Sequence, residues 1–271
     1  MKVQNNARRA DSPTQKNMKI EEFERGLSDR VAIVTGAAIG NGRAFCERLA
    51  EAGAKIVIAD IADATHVVDA IRSAGGEAVA IRADCSNPDD AATLAKTATD
   101  HFGRIDILVH NVGMYDEEPF ELITFAQWKK VMEVNLDTLF LTVQAVLPAM
   151  KENGFGRIIT LSSNTVWLGT PYLAHYAAAK MGVIGFTRSL AAEVGRYGIT
   201  VNAISVGLTA TQKPDDSGRS STILPHILPQ QAVHRADEPH DIANVVAFLA
   251  LPASGIITGQ TINVDGGAAR H

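Results

Sequence analysis

Apolar positions in this chain follow two rhythms. Short, nearly unbroken runs rich in Val, Ile and Ala occupy 31–35, 55–60, 78–83, 105–110, 157–162 and 200–205, each bounded by Gly, Asp, Asn or Ser, and a last one lies near 261–264. Runs of this length that do not alternate read as strands buried on both faces of a parallel sheet. Between them, helical stretches are expected over 42–52, 63–74, 88–102, 125–153, 175–197 and 238–251. Strand–helix alternation at this spacing predicts right-handed βαβ crossovers, and hence an α/β fold with a doubly wound parallel sheet of about seven strands and helices on both faces. Two stretches break the rhythm. Residues 1–28 are polar and aperiodic, which predicts a mobile N-terminal tail ahead of a single domain over 29–271. Residues around 211–233 are rich in Pro, Ser, Asp and Gly, and a loop of that length in a compact domain is expected to serve the substrate.

Composition narrows the picture. With 271 residues, 46 % of them apolar, the chain can build one substantial core with little left for a second. A net charge of −5 without a basic stripe argues against nucleic-acid and anionic-membrane partners. No run approaches the ~18 apolar residues of a membrane span. The N-terminus also lacks the apolar stretch of a signal peptide, so a cytoplasmic protein is expected. Cys46 and Cys85 show no CxxC spacing and read as free thiols in a reducing compartment. His226, His234 and His240 lack metal-ligand spacing, so no catalytic metal is expected.

The first candidate chemistry lies where the first strand ends in Thr35-Gly36-Ala37-Ala38-Ile39-Gly40-Asn41-Gly42 and a helix follows. Glycines at 36, 40 and 42 permit a sharp turn and close approach to a pyrophosphate, which the positive end of a helix then holds. The next strand ends at Asp60, about twenty residues on, where a carboxylate can accept hydrogen bonds from adenosine ribose hydroxyls and repel a 2′-phosphate. With no cation at 37–39 or 61, this predicts NAD(H) as cofactor in preference to NADP(H).

Further residues extend the pattern: Asn111-Val112-Gly113 after the fourth strand, Asn135 within a long helix, and Ser163 thirteen residues before Tyr176-Ala177-Ala178-Ala179-Lys180. Thr258 to Gly267 (Thr-Gly-Gln-Thr-Ile-Asn-Val-Asp-Gly-Gly) completes it. In this order, over about residues 29–270, the chain resembles the single-domain branch of the short-chain dehydrogenase/reductase family. The resemblance implies a Rossmann-type sheet, a homotetramer, and a catalytic set of Ser163, Tyr176, Lys180 and Asn135. It also implies cofactor contacts from Gly36, Ile39 (backbone), Gly40, Gly42, Asp60, Asp84 with Cys85 at the adenine, Asn111, Gly113, Tyr176, Lys180 and Thr209. Ile39, Asn41, His110, Val112 and Val206 depart from the family's pattern, and bear on cofactor affinity and the shape of the nicotinamide end.

Tyr176 and Lys180 stand four apart on a helix and share a face. A free phenol has a pKa of ~10. A nearby ammonium and a positive nicotinamide ring both favour phenolate, which would let Tyr176 take a proton from an alcohol or return one to a ketone. Ser163, at a strand's carboxyl edge, can hydrogen-bond the substrate oxygen. His175, next to Tyr176, is expected to face elsewhere. Bulky groups at Met114, Tyr115, Trp167, Leu168, Tyr172, Leu173 and Leu208 suggest a mostly apolar pocket with room for a ring. The resulting expectation is an NAD-dependent oxidoreductase interconverting an aromatic or cyclic secondary alcohol and its ketone. A 3-oxoacyl-acyl-carrier-protein reductase is the alternative, and would call for NADPH and a basic patch. A non-catalytic NAD-sensing protein is a further alternative, opposed by the intact Ser163, Tyr176 and Lys180. An extended-branch epimerase or dehydratase would call for a different glycine spacing.

Overall fold

The computed structural model describes residues 26–211 and 228–270. Its seven strands are β1 (Val31–Thr35), β2 (Lys55–Asp60), β3 (Ala78–Arg82), β4 (Ile107–His110), β5 (Gly156–Ser163), β6 (Ile199–Val206) and β7 (Thr261–Val264). All pair in parallel, in the order β3-β2-β1-β4-β5-β6-β7. Helices α1 (Gly40–Glu51), α2 (Thr65–Ser73), α3 (Pro88–Phe102), α4 (Phe125–Met132), α5 (Thr138–Asn153), α6 (Ala174–Val194) and α7 (Pro239–Ala250) connect them. One apolar cluster joins Phe45 and Leu49 of α1 to Ile242 and Val246 of α7 across one face of the sheet. A second joins Leu94, Leu139, Val146 and Val183 of α3, α5 and α6 across the other. The strand order reverses between β1 and β4, which opens a crevice at their carboxyl ends, where open α/β sheets bind ligands.

Every residue of β1, β4, β5 and β6 is buried. The two edge strands differ from the expectation of burial on both faces. Burial alternates along β3, and β7 is half-buried throughout, because each has a neighbour on one side only.

The stretch 125–153, expected as one helix, is interrupted by a π-helical turn at Glu133–Asp137. Asn135 explains it. Its amide donates to the carbonyls of Val131 at 2.9 Å and Met114 at 3.0 Å, and its Oδ1 accepts from the Met114 N–H at 3.3 Å. A side chain that ties the helix to a distant loop displaces the regular ladder, and such bulges recur at functional sites.

The end of the expected N-terminal tail, residues 26–28, falls among the described residues. Residues 1–25 lie outside the described ones, but Leu27 is fully buried and its N–H donates to the Ala52 carbonyl at 3.1 Å. Of the expected substrate loop, 212–227 lie outside the described residues. The remainder is packed: Gln231 is buried, and the N–H groups of Ala232 and Val233 both donate to Gly266.

Candidate active site

A cleft of about 860 Å³ opens at the carboxyl ends of the strands. Of the expected site residues, Gly36, Ile39, Gly40, Asp60, Asp84, Cys85, Asn111, Gly113, Ser163, Tyr176, Lys180 and Thr209 all line it. Gly42 and Asn135 do not.

At one end of the cleft the chain leaves β1 through Gly36 and Gly40, with φ of +62° and +59°, a region that glycine enters without steric cost. The Gly36 N–H donates to Ala59 at 2.8 Å, and its carbonyl accepts from the Asn111 amide at 2.7 Å, so β2 and the loop after β4 both brace the turn. Ile39 precedes α1 in an extended conformation and supplies no side-chain cap. The first N–H groups of α1 therefore face the cleft at the helix's positive end, a cradle that fits a pyrophosphate.

Gly42, expected at the cofactor, does not itself line the cleft and is closely packed against the turn. A Cβ there would meet the Gly36 carbonyl at 2.3 Å, Ala37 Cα at 2.7 Å and Asn111 Nδ2 at 2.8 Å. Two of these are rigid backbone, so Gly42→Ala is expected to destabilise the fold by about 1–3 kcal/mol and to weaken dinucleotide binding. Thermal melting and cofactor titration check this.

Asp60 lines the cleft beside this turn. Its Oδ2 accepts from the Ala38 N–H and its Oδ1 from the Ala62 N–H, both at 2.9 Å, which orients the carboxylate while each oxygen keeps a lone pair for a hydroxyl. Asp84 is held below the usual carboxylate range by hydrogen bonds from the Ser86 hydroxyl and N–H. Burial pushes the Cys85 thiol up to about 12, so it is an inert wall. The sequence did not point to Arg82, which pairs in register with Asp60 and donates from Nε to the Ile61 carbonyl at 3.0 Å. Only the β2–β3 register brings that cation beside Asp60.

At the other end stand Ser163, Tyr176 and Lys180. The Ser163 hydroxyl accepts from the Thr165 hydroxyl at 3.0 Å and its N–H at 3.3 Å. Burial pushes the Tyr176 phenol up to about 12, and a hydrogen bond from Ser163 works the other way. The Lys180 ammonium lies 5.7 Å from the Tyr176 ring centre and donates to the Leu161 carbonyl at 3.0 Å. Burial pulls Lys180 down to about 8. The ammonium was expected to lower the phenol together with a bound nicotinamide ring; in the protein alone desolvation is the larger effect and raises it.

Asn135 meets Lys180 from behind. A Cβ on Gly113 would lie 3.1 Å from both Asn135 Oδ1 and Lys180 Nζ, so the absent side chain leaves the space in which the two approach. His110 is buried beneath them, with Nε2 3.1 Å from the Thr138 hydroxyl and Nδ1 3.3 Å from that of Thr35. Burial, reinforced by the Lys180 charge, lowers its pKa to about 3 and keeps it neutral. Nδ1 also lies 3.1 Å from the Thr142 hydroxyl, so three hydroxyls surround the ring.

Tyr115, Leu168, Tyr172 and Leu208 line the cleft, whereas Met114, Trp167 and Leu173 do not. Trp167 instead donates to the Ser205 hydroxyl at 3.1 Å, and Leu173 is fully buried. Tyr115 packs edge-on against Tyr176, with ring centres 5.2 Å apart. Tyr172 holds a φ of +66°, uncommon for a bulky residue, and its carbonyl accepts from the Glu118 N–H, which ties the loop after β4 to the entry of α6. Glu117 and Lys130 also line the cleft and carried no signal in the sequence, and Thr211, at the start of the expected substrate loop, lines it as well. His175 is fully buried and lies off the cleft. Cys46 and Cys85 are both unpaired. Among the described residues, no group of three or more His, Cys, Asp or Glu can hold a metal ion, and no helix is long and apolar enough to cross a membrane.

A parallel seven-stranded sheet with a glycine-lined cleft at its switch point defines a nucleotide-binding oxidoreductase architecture. The comparisons carry the assignment further. A family model described as enoyl-(acyl carrier protein) reductase matches residues 36–269. A 3-oxoacyl-acyl-carrier-protein reductase of Synechocystis is 40 % identical over 246 residues, covering 89 % of this chain and 97 % of the relative. A hydroxy(phenyl)methyl-succinyl-CoA dehydrogenase subunit of Thauera aromatica is 41 % identical over 245 residues, with the same coverages. A dehydrogenase/reductase from Sinorhizobium meliloti superposes with a TM-score of 0.83 at 33 % identity, covering 91 % of this chain and 97 % of that one. The chain belongs to the short-chain dehydrogenase/reductase family and is an oxidoreductase of that family.

Proposed function

We propose that this protein is an NAD(H)-dependent alcohol dehydrogenase and ketone reductase that interconverts an aromatic or cyclic secondary alcohol and its ketone, with Tyr176 as acid/base. One observation carries the reading: a single cleft runs from a carboxylate at the adenosine end, Asp60, to Tyr176, Ser163 and Lys180 at the other. The dinucleotide supplies or accepts the hydride when bound. Gly36, Ile39, Gly40, Asp60, Asp84, Cys85, Asn111, Gly113, Lys180 and Thr209 hold it. The Tyr176 hydroxyl gives its proton to the ketone oxygen in reduction and takes one from the alcohol in oxidation. Ser163 hydrogen-bonds that oxygen and stabilises the charge that develops on it. Lys180 favours the phenolate and grips the nicotinamide ribose, while Asn135 holds the space behind it open to water. A phenol resting near 12 in the protein alone is poised as the acid, so oxidation depends on the bound cofactor's positive ring to bring it down.

Tyr115, Leu168 and Tyr172 around Tyr176 favour a flat, apolar substrate. The phenyl-bearing carbinol in the name of the Thauera relative is compatible with that choice. The name of the Synechocystis relative favours a second reading, reduction of a 3-oxoacyl group on a carrier protein. Of the described cleft residues only Lys130 and Lys180 are cationic, which gives an acidic carrier little to dock on. A panel of aryl and cyclic ketones against acetoacetyl thioesters, with NADH and NADPH, separates the two. Turnover of the thioester alone, with NADPH, would overturn the first.

NADH is expected to be the better cofactor because Asp60 opposes a 2′-phosphate. Asp60→Ser is expected to shift the ratio of kcat/KM toward NADPH by roughly tenfold or more, since like-charge contact costs several kcal/mol. Arg82, in register with Asp60 and bonded to the Ile61 carbonyl, is then a cation that could receive the phosphate. Exposed apolar groups on three helices, Phe125, Phe140 and Met181, support a homotetramer, which analytical ultracentrifugation tests.

A further inference from the structure

Behind one wall of the cleft lies a pair of carboxyls that the proposed chemistry does not use. Asp237 is 5 % exposed, and its Oδ2 is buried without a hydrogen-bond partner. Asp265 is 3 % exposed and fully engaged, accepting from the N–H groups of Ala269 at 2.8 Å and Gly267 at 3.1 Å and from the Asn164 amide at 3.3 Å. Both converge on Gly207. A Cβ there would lie 2.3 Å from Asp237 Oδ2 and 2.8 Å from Asp265 Cβ. Gly207, Leu208, Thr209 and Thr211 line the cleft on the other side of this contact. Asp237 is joined to the same segment through its backbone: it bridges Thr209, and its carbonyl accepts from the Ala210 N–H at 2.8 Å.

The charged groups that face Asp237 are Asp265 from the turn after β7, Asp241 from α7, and Arg235 from the turn before α7. Arg235 is committed elsewhere, with its two terminal nitrogens each 2.6 Å from an oxygen of Asp241. An ionised Asp237 therefore keeps a buried oxygen without a donor, beside a second carboxylate. A protonated one loses that charge and gains an O–H.

We propose that Asp237 is a positioning residue that keeps the 206–211 wall of the cleft in place when protonated and loosens it when ionised. This rests on the reading of the cleft as a dinucleotide site. Burial, together with Asp265 and Asp241, pushes Asp237 up to about 6. An unfolded aspartate titrates near ~3.9. Between these values the folded chain keeps a proton that the unfolded chain has released, so the wall loses stability as pH rises through this window. Above 6 the penalty is complete.

The test compares wild type with Asp237→Asn at pH 5 and pH 8, by melting temperature without cofactor and by NADH titration. At pH 8 the variant is expected to melt higher and to bind NADH roughly fivefold tighter, the equivalent of ~1 kcal/mol. At pH 5, where the folded chain still holds the proton, NADH binding by the two is expected to coincide, and the melting offset is expected to be smaller than at pH 8 because the unfolded aspartate has already released its proton. An offset of the same size at both pH values, or weaker binding by the variant at pH 8, would overturn the proposal. If the variant does not fold, the exchange protection factor of the Ala210 amide in wild type decides. It falls between pH 5 and pH 8 if the proposal holds, and a flat profile rejects it. If NADH binds neither protein, the cofactor reading fails, and the melting and exchange data still judge Asp237.

Discussion

Tyr176→Phe is expected to lower kcat by roughly 10²–10⁴-fold, the usual range for a positioned proton donor, while NADH still binds. Phenylalanine keeps the ring, and with it the edge-on contact to Tyr115, so the wall of the cleft is preserved. What disappears is one hydroxyl, the group that the substrate oxygen needs in both directions. No other group in the described pocket can replace it. Ser163 is a far weaker acid, and Lys180 points its ammonium at the Leu161 carbonyl. Single-turnover kinetics with a ketone that wild type reduces, together with cofactor titration, separate loss of chemistry from loss of binding. A variant with near wild-type kcat would remove Tyr176 from the mechanism. Ser163→Ala is expected to be milder, because its role is to support charge and not to move the proton.

The outline of the fold was legible because buried parallel strands leave unbroken apolar runs and the helices between them are long. Three of the seven strands fall where the apolar runs place them, to the residue, and α3 is bounded as expected because Asn87 caps it ahead of Pro88. What escaped the sequence depends on distance along the chain. The π-turn at Glu133–Asp137 exists because Asn135 reaches Met114, twenty-one residues away. The Asp237–Asp265 pair forms because the sheet edge returns to the segment after β6. Arg82 comes beside Asp60 only through the β2–β3 register. The spacing of Tyr176 and Lys180 told which face they share, but not how dry that face is, and dryness is what displaces both pKa values. Gly42 shows the converse. The motif marked it as a glycine for the pyrophosphate turn, and the structure adds a second reason, the Gly36 carbonyl, against which a Cβ would lie at 2.3 Å.

Dryness at the catalytic end has a cost in stability, and Lys180→Met is expected to reveal it. Lys180 is 5 % exposed, with no carboxylate paired to it among the described residues, and burial pulls it down to about 8. Below that pH the lysine is charged in both folded and unfolded chains, and the folded chain bears the full cost of a desolvated ammonium. Between about 8 and the unfolded value of ~10.4, the folded chain has released a proton that the unfolded chain retains, so stability rises with pH. Above that window both forms are neutral and the cost is gone. Methionine has a similar length and no charge. At pH 7 the variant is therefore expected to be more stable by about 1–2 kcal/mol, after allowing for the lost bond to the Leu161 carbonyl. The gain should shrink toward zero as pH approaches 10.5. Turnover is expected to fall by about 10²-fold or more over the same range, as strained catalytic groups trade stability for activity. Melting curves at pH 7 and pH 10 check the first claim and steady-state kinetics the second. A variant that melts lower than wild type at both pH values would mean that the ammonium is held by the fold and is not tolerated at its expense.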